Sequence, residues 1–343
     1  MARMCVLGGG LVGRFVACVL NERGHQIRVV DSQPLSDMPA EIEIIEDFVE
    51  LDSLEDIVRG FDVIINCLPG RIGHMVRAPL MSIEGSLVAD LAFTSEDPRG
   101  LDDLAKKYRS KLIYDVGIAP GLSNALLKFA ECEMGRLESA KIWVGGNPQQ
   151  PDGEWSYMAP FSPSDVIEEY TRPARVRRMG QNVTEPALSE RHTVCVPKYG
   201  DMEAFLTDGV RSLLDTIDSE ELLEYTVRWP GHIQRYLDGE DSEEELIEAW
   251  KFDPERPEFT WLAIEVQGVQ ENRRWDIIDE GKEGWSSMAR TTGLVTVEVA
   301  EMLVEGAIPE FGVMPPERIG QDQQLLSRLI AAMRREGVEI QES

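Results

Sequence analysis

The residues with the clearest chemistry lie within the first 31. Gly8, Gly10 and Gly13 fall on a G-x-G-x-x-G spacing, after the apolar run 4–7 and before a helical pattern that opens at Leu11 and Val12. In that setting the first glycine allows a tight turn and the second lets backbone approach a pyrophosphate. The third lets helix pack closely on strand. A helix beginning near Leu11 aims its free N–H groups and positive dipole end at the same phosphate. Asp31 stands 18 residues beyond Gly13, at the end of a second apolar run. A carboxylate there accepts both hydroxyls of a ribose and repels a 2′-phosphate, so the expected cofactor is NAD, with NADP disfavoured. Ser32 and Gln33 follow it, and no adjacent arginine offers a 2′-phosphate site; Ser32 joins the expected cofactor contacts.

Such a turn works only at the carboxyl end of a parallel strand, and the next hundred residues supply the frame. Phe61–Cys67, Ser86–Leu91 and Lys111–Tyr114 read as buried strands separated by helical stretches. Strands alternating with helices predict an α/β, doubly wound parallel (Rossmann) nucleotide domain over 1–125. Asp52 and Glu55 make a D-x-x-E pattern, expected to box the start of a helix. Leu68 and Pro69 break the chain at a strand's carboxyl end, where ligands sit in such sheets. The loop Asp115–Asn124 carries Gly117, Pro120 and Gly121 between a strand and a helix, and is expected under the nicotinamide ring.

From residue 130 to 284 the rhythm changes to an α+β, mostly antiparallel pattern, expected as a substrate and dimerisation domain. It includes a hairpin around Gln270–Arg273 and an acidic run, Asp238–Glu248, read as a solvated face. Two amphipathic helices, near Ser286–Glu305 and Asp322–Arg335, fill 286–343 and are expected to return to the nucleotide domain, with the active site between the two domains.

The 343 residues can hold two domains with real cores. With 34 basic against 62 acidic residues the net charge is −28, which argues against a nucleic-acid or anionic-membrane surface. Cys5, Cys18, Cys67, Cys132 and Cys195 form no C-x-x-C pair, and the four histidines are scattered, so no metal is expected. Reduced, mostly buried thiols fit a cytoplasmic protein.

Taken in order, several motifs resemble the saccharopine dehydrogenase superfamily, and among its branches lysine 6-dehydrogenase most. They are Gly8–Gly13, Asn66–Pro69, Asp115–Asn124, Val144–Gly146, Glu169-Tyr170, Ala204–Gly209, Arg228–His232 and Met288–Gly293. The resemblance implies an NAD(P)-dependent oxidoreductase acting on CH–NH2 or CH–NH bonds. Its expected reaction is oxidative deamination of L-lysine to 2-aminoadipate 6-semialdehyde and ammonia. The alternatives are a saccharopine- or carboxynorspermidine-type reductase that joins an amine to a carbonyl, and an NAD-binding protein without turnover. A homodimer is the expected assembly.

That chemistry calls for a base to deprotonate the amine and an arginine for the substrate carboxylate. Asp208 and His232 are the expected catalytic pair, with Asp90 and Asp115 weighed beside them. For the substrate, Arg211 and Arg228 are expected at the carboxylate, in preference to the basic run Arg172, Arg175, Arg177 and Arg178, and Asp90 and Thr292 nearby. Asp208 has a second reading as the cap of a helix starting at Gly209, and His232 as a structural histidine at a turn.

Overall fold

The computed structural model describes all 343 residues, Met1–Ser343. They divide into two units, Met1–Gly117 with Thr292–Arg318, and Ile118–Thr291 with Ile319–Ser343.

The first unit holds a seven-stranded sheet. Its order is Gly312–Met314, Lys111–Tyr114, Leu87–Asp90, Val63–Asn66, Arg3–Leu7, Gln26–Asp31, Glu43–Glu46. Every pairing is parallel. Val63–Asn66 is buried at each position, as a central strand covered on both faces must be. Cys5, Leu7, Val30, Ile64, Val88 and Leu112 build its core. From Arg3–Leu7 the chain first winds to Gln26–Asp31 on one side and later to Val63–Asn66 on the other. That reversal is the topological switch point, where such sheets bind ligands. The D-x-x-E expectation at Asp52 is corrected. The helix Leu54–Val58 follows Ser53, whose backbone is already in the helical region, so no side-chain cap forms. In the later segment Gly293 lies against Phe15, and Arg23 bridges Glu298 and Glu301, each at 2.7 Å.

The second unit is built on a nine-stranded mixed sheet. Its main path runs His192–Val196, Gly200–Leu206, Ser219–Arg228, Leu137–Pro148, Glu258–Gly268, Asn272–Asp279, Glu339–Glu342. A hairpin, Ala174–Arg178 with Gln181–Glu185, branches from Ser219–Arg228. Only Ser219–Arg228 with Leu137–Pro148 is parallel. The hairpin expected near Gln270 is present, as Glu258–Gly268 paired with Asn272–Asp279.

The expectation for 286–343 needs correction. Thr292–Arg318 belongs to the first unit, but Ile319–Ser343 belongs to the second. The helix Gln323–Arg335 buries Leu325, Leu326, Leu329, Ala332 and Met333, and Glu339–Glu342 completes the sheet edge against Asn272–Asp279. An amphipathic helix states that one face must be covered, not by what; here a strand pairing made after the helix decides. No helix is long and apolar enough to cross a membrane.

Candidate active site: a glycine cradle and a buried polar face

In the first unit the glycine turn is built as its spacing requires. Gly8 has φ +96°, and a Cβ there would lie 2.7 Å from the Cys67 carbonyl oxygen. A Cβ on Gly13 would lie 2.0 Å from Gly8 O, so the helix Leu11–Glu22 can lie this close only on a glycine. Gly10 differs, because a Cβ there would meet nothing within 4 Å. The space beside Gly10 is thus open, as close approach of a pyrophosphate asks. Asp31 Oδ2 accepts the Gly9 N–H at 2.6 Å, Oδ1 accepts the Gln33 N–H at 2.8 Å, and Arg14 Nε donates to Gly9 O at 2.9 Å. The carboxylate thus holds the turn. These residues fit a dinucleotide; the Arg14 brace had no sequence signal.

The second strand end is equally close-packed. A Cβ on Gly70, just after Leu68 and Pro69, would fall 1.9 Å from Phe93 O. Asn66 fixes the break by donating to Gly73 O at 2.9 Å and accepting from Leu68 N at 3.3 Å. The substrate expectation for Asp90 is corrected. Asp90 is fully buried and bridged by Arg77 (2.7 Å from Nε), which also donates to Ala92 O and Thr94 Oγ1. A carboxylate so enclosed is structural. Gly117 is the last residue of its segment in this unit, and Thr292 opens the other, with its carbonyl accepting from Thr296 Oγ1 at 3.2 Å. Pro120 and Gly121 fall in the second unit, where Gly121 has φ +136° and donates to Asn124 Oδ1 at 3.1 Å.

The second unit carries a feature the sequence did not expose. Along Ser219–Arg228, Leu223, Tyr225 and Val227 enter one apolar core. The alternate residues Glu224, Thr226 and Arg228 point to the other face, yet all three are buried. Such alternation in sequence reads as a half-exposed strand; here both faces are covered. The polar face gathers motifs distant in the chain. Thr207 Oγ1 and Thr226 Oγ1 are 2.9 Å apart, and Thr226 Oγ1 donates to Glu169 Oε1. Gly209 lies against the Glu224 carboxylate, and Gly146 against Met288. Further along, Glu258 accepts from Ser287 N at 2.6 Å and Oγ at 2.5 Å, and burial raises its pKa to about 7.

Both members of the expected catalytic pair have internal partners in this unit. Asp208 accepts from Arg175 Nε and Nη2, both at 2.8 Å, and from Arg175 N at 3.0 Å. Its oxygens are thus committed to a residue of the basic run that the sequence reading set aside. Asp208 caps no helix at Gly209 either, since the next helix is Leu213–Thr216. His232 is buried, donates from Nδ1 to Trp155 O at 2.9 Å and faces Tyr170 Oη from Nε2 at 3.0 Å. Arg228 Nε donates to that same Tyr170 oxygen at 2.8 Å, so the Tyr170 proton goes to His232 Nε2, which fixes the tautomer. Burial, and then the Arg228 charge, lower the His232 pKa to about 3. The imidazole is thus neutral, with both nitrogens engaged.

Arg228, expected at the substrate carboxylate, also has internal partners. It is 3% exposed, donates to Tyr170 Oη, Val227 O and Tyr157 Oη, and lies 4.4 Å from the Tyr157 ring centroid. Trp155, Tyr157, Tyr170 and Trp250 pack around His232 as an aromatic box. Arg211 is buried in a left-handed conformation, φ +57°, two residues beyond Gly209.

Comparison with known proteins agrees with this architecture. The family model described as "Saccharopine dehydrogenase C-terminal domain" matches residues 117–240 and 242–338. Among solved structures, the apo histidine-tagged saccharopine dehydrogenase (L-Glu forming) from Saccharomyces cerevisiae superposes with TM-score 0.76 at 15% identity, over 100% of this chain and 99% of that one. An engineered D-amino acid dehydrogenase bound to NADP+ matches with TM-score 0.47 at 10% identity, covering 96% of this chain and 98% of that one. C. glutamicum DAP dehydrogenase in complex with DAP matches with TM-score 0.45 at 11% identity, over 96% and 98%. With a family model covering more than half its length and the whole fold shared, the chain belongs to the saccharopine dehydrogenase superfamily.

Proposed function

We propose that this protein is an NAD-dependent oxidoreductase that acts on a carbon bearing an amine, with the side-chain amine carbon of L-lysine as the favoured substrate. The observation that carries the reading is the glycine cradle closed by Asp31, where the space beside Gly10 is open. Gly8, Gly10, Leu11, Val12 and Gly13 would hold the pyrophosphate, and Asp31 with Ser32 the ribose diol. When bound, the dinucleotide supplies a hydride acceptor. The overall change would convert lysine, NAD+ and water to 2-aminoadipate 6-semialdehyde, ammonia, NADH and a proton.

A buried polar face in the second unit supports a small polar substrate, because burying Glu224, Thr226 and Arg228 together costs stability that an apolar face would not. Arg211, in the segment just after the Ala204–Gly209 motif, is our assignment for the substrate carboxylate. Membership of the saccharopine dehydrogenase superfamily supports a second reading, in which the carbon–nitrogen bond belongs to a secondary amine. One assay separates them. Amines and amino acids are offered with NAD and with NADP, and an amine plus a 2-oxo acid with the reduced cofactors, following nicotinamide absorbance. Turnover of lysine with NAD supports the first reading. Turnover only in the condensing direction supports the second, and none in either direction overturns both.

A further inference from the structure

One partly open carboxylate lies beside the polar face of the second unit. Asp208 is committed to Arg175, Asp279 to Arg290 and Glu258 to Ser287. Glu169, on the helix Pro163–Thr171, has Oε1 fixed by Thr226 Oγ1, while Oε2 lies 4.0 Å from Arg228 Nη2, beyond hydrogen-bond reach. The Glu169 side chain keeps 17% of its surface open, against 4% for Arg228.

The spacing of this pair is informative. Arg228 gives its donors to Tyr170, Val227 and Tyr157, all neutral oxygens, so its buried charge needs a counter-charge nearby. Glu169 supplies it without closing a bidentate bridge. The carboxylate is therefore oriented by Thr226 and Thr207 and balanced by Arg228, but keeps one oxygen for a donor from outside the fold. A carboxylate so held recognises a cationic amine. Loss of the ammonium proton to this carboxylate leaves a free electron pair on the nitrogen. Oxidation at the amine-bearing carbon needs that free electron pair.

We propose that Glu169 receives the substrate amine and takes its proton, held in place by Thr226 and Arg228. One N–H bond breaks and one O–H bond forms at Glu169 Oε2, and the electron pair stays on nitrogen. The assignment rests on the reading of the protein as an amine oxidoreductase. The charged and titratable groups facing Glu169 are Arg228, Tyr157 and Tyr170.

Glu169→Gln tests it, because the amide keeps an acceptor for Thr226 and removes the charge and the base. Binding of lysine and of norleucine, which lacks the side-chain amine, is measured by calorimetry with NAD present, alongside turnover of lysine. The wild-type protein should bind lysine more tightly than norleucine, and Glu169→Gln should erase that preference. It should also lower lysine turnover by at least about a hundredfold with NAD affinity unchanged, while the thermal midpoint falls because Arg228 loses its counter-charge. Glu169→Asp should recover part of the loss. Lysine turnover that survives in Glu169→Gln overturns this assignment and leaves the functional reading standing. A wild-type protein that prefers lysine to norleucine through Glu169 yet oxidises no amine keeps the site and overturns the functional reading. No preference in the wild type overturns the site.

Discussion

Gly209 and the carboxylate of Glu224 compete for one place: a Cβ on Gly209 would lie 1.6 Å from Glu224 Oε1 and 2.0 Å from its Cδ. Glu224 is buried on the strand that also carries Thr226 and Arg228, so the position of its carboxylate depends on a missing side chain in the neighbouring loop. The Thr207-Asp208-Gly209 motif thereby acquires a physical content that its polar residues alone do not give it.

Gly209→Ala should act on the site more than on the fold. The colliding atoms are the far end of a side chain, which can swing, so the thermal midpoint should fall by only a few degrees. Displacing the carboxylate should lower kcat/KM for the best substrate by about tenfold or more. Gly100→Ala, whose Cβ would meet nothing within 4 Å, is the control. Equal kinetics for the two variants would disprove a role for Glu224 placement.

Gly10→Ala and Gly13→Ala should separate binding from folding. At Gly13 the clash is with backbone, Gly8 O at 2.0 Å, and backbone cannot swing aside. That variant should lose both stability and NAD affinity. Gly10→Ala should keep the wild-type melting curve while NAD binding falls at least about tenfold, since the methyl intrudes only on the pyrophosphate. Titration of NAD by calorimetry with parallel melting curves decides it; an undiminished NAD affinity in Gly10→Ala would remove the cradle from the argument.

Asp31→Ser should narrow or reverse the preference for NAD over NADP. A charged hydrogen bond to a ribose hydroxyl is worth about 1.5–3 kcal/mol, and a 2′-phosphate would lose it and meet repulsion. Because Asp31 also holds the Gly9 and Gln33 N–H groups, affinity for both cofactors should fall somewhat. Equal use of NAD and NADP by the unaltered protein would refute the assignment.

Two buried groups predict opposite pH limbs in stability. His232, at about 3 when folded against an ordinary 6.5, refuses a proton that the unfolded chain accepts. Its contribution is complete above about 6.5 and declines as pH falls toward 3. Glu258, raised from 4.5 to about 7, holds a proton when folded that the unfolded chain releases. Its contribution is complete below about 4.5 and is lost as pH rises through 7. Urea midpoints against pH should show a flatter acid limb for His232→Gln and a flatter neutral limb for Glu258→Gln, each on the order of a few kcal/mol. Parallel curves for variants and wild type would rule these two groups out.

The sequence by itself determined the nucleotide half. Gly8, Gly10, Gly13 and Asp31 act on one another within one strand–helix–strand unit, so their spacing along the chain is nearly their spacing in space. The parallel sheet was legible for the same reason, since its buried strands read as continuous apolar runs. The order of motifs also carried the family. What the sequence left open was every role that depends on partners far along the chain. Asp208 and His232 have the right side chains for a base, but only packing revealed Arg175 on one and Tyr170 with Trp155 on the other. Arg228 looked like a ligand for a carboxylate until the tertiary structure enclosed it in tyrosines. Glu224 and Thr226 alternate with apolar residues as on a half-exposed strand, yet both are buried, because period-two alternation records which residues share a face and not what covers it. The last 25 residues followed the same logic: a helix that must bury one face was read correctly, and the sheet it serves was chosen by Glu339–Glu342 pairing with Asn272–Asp279.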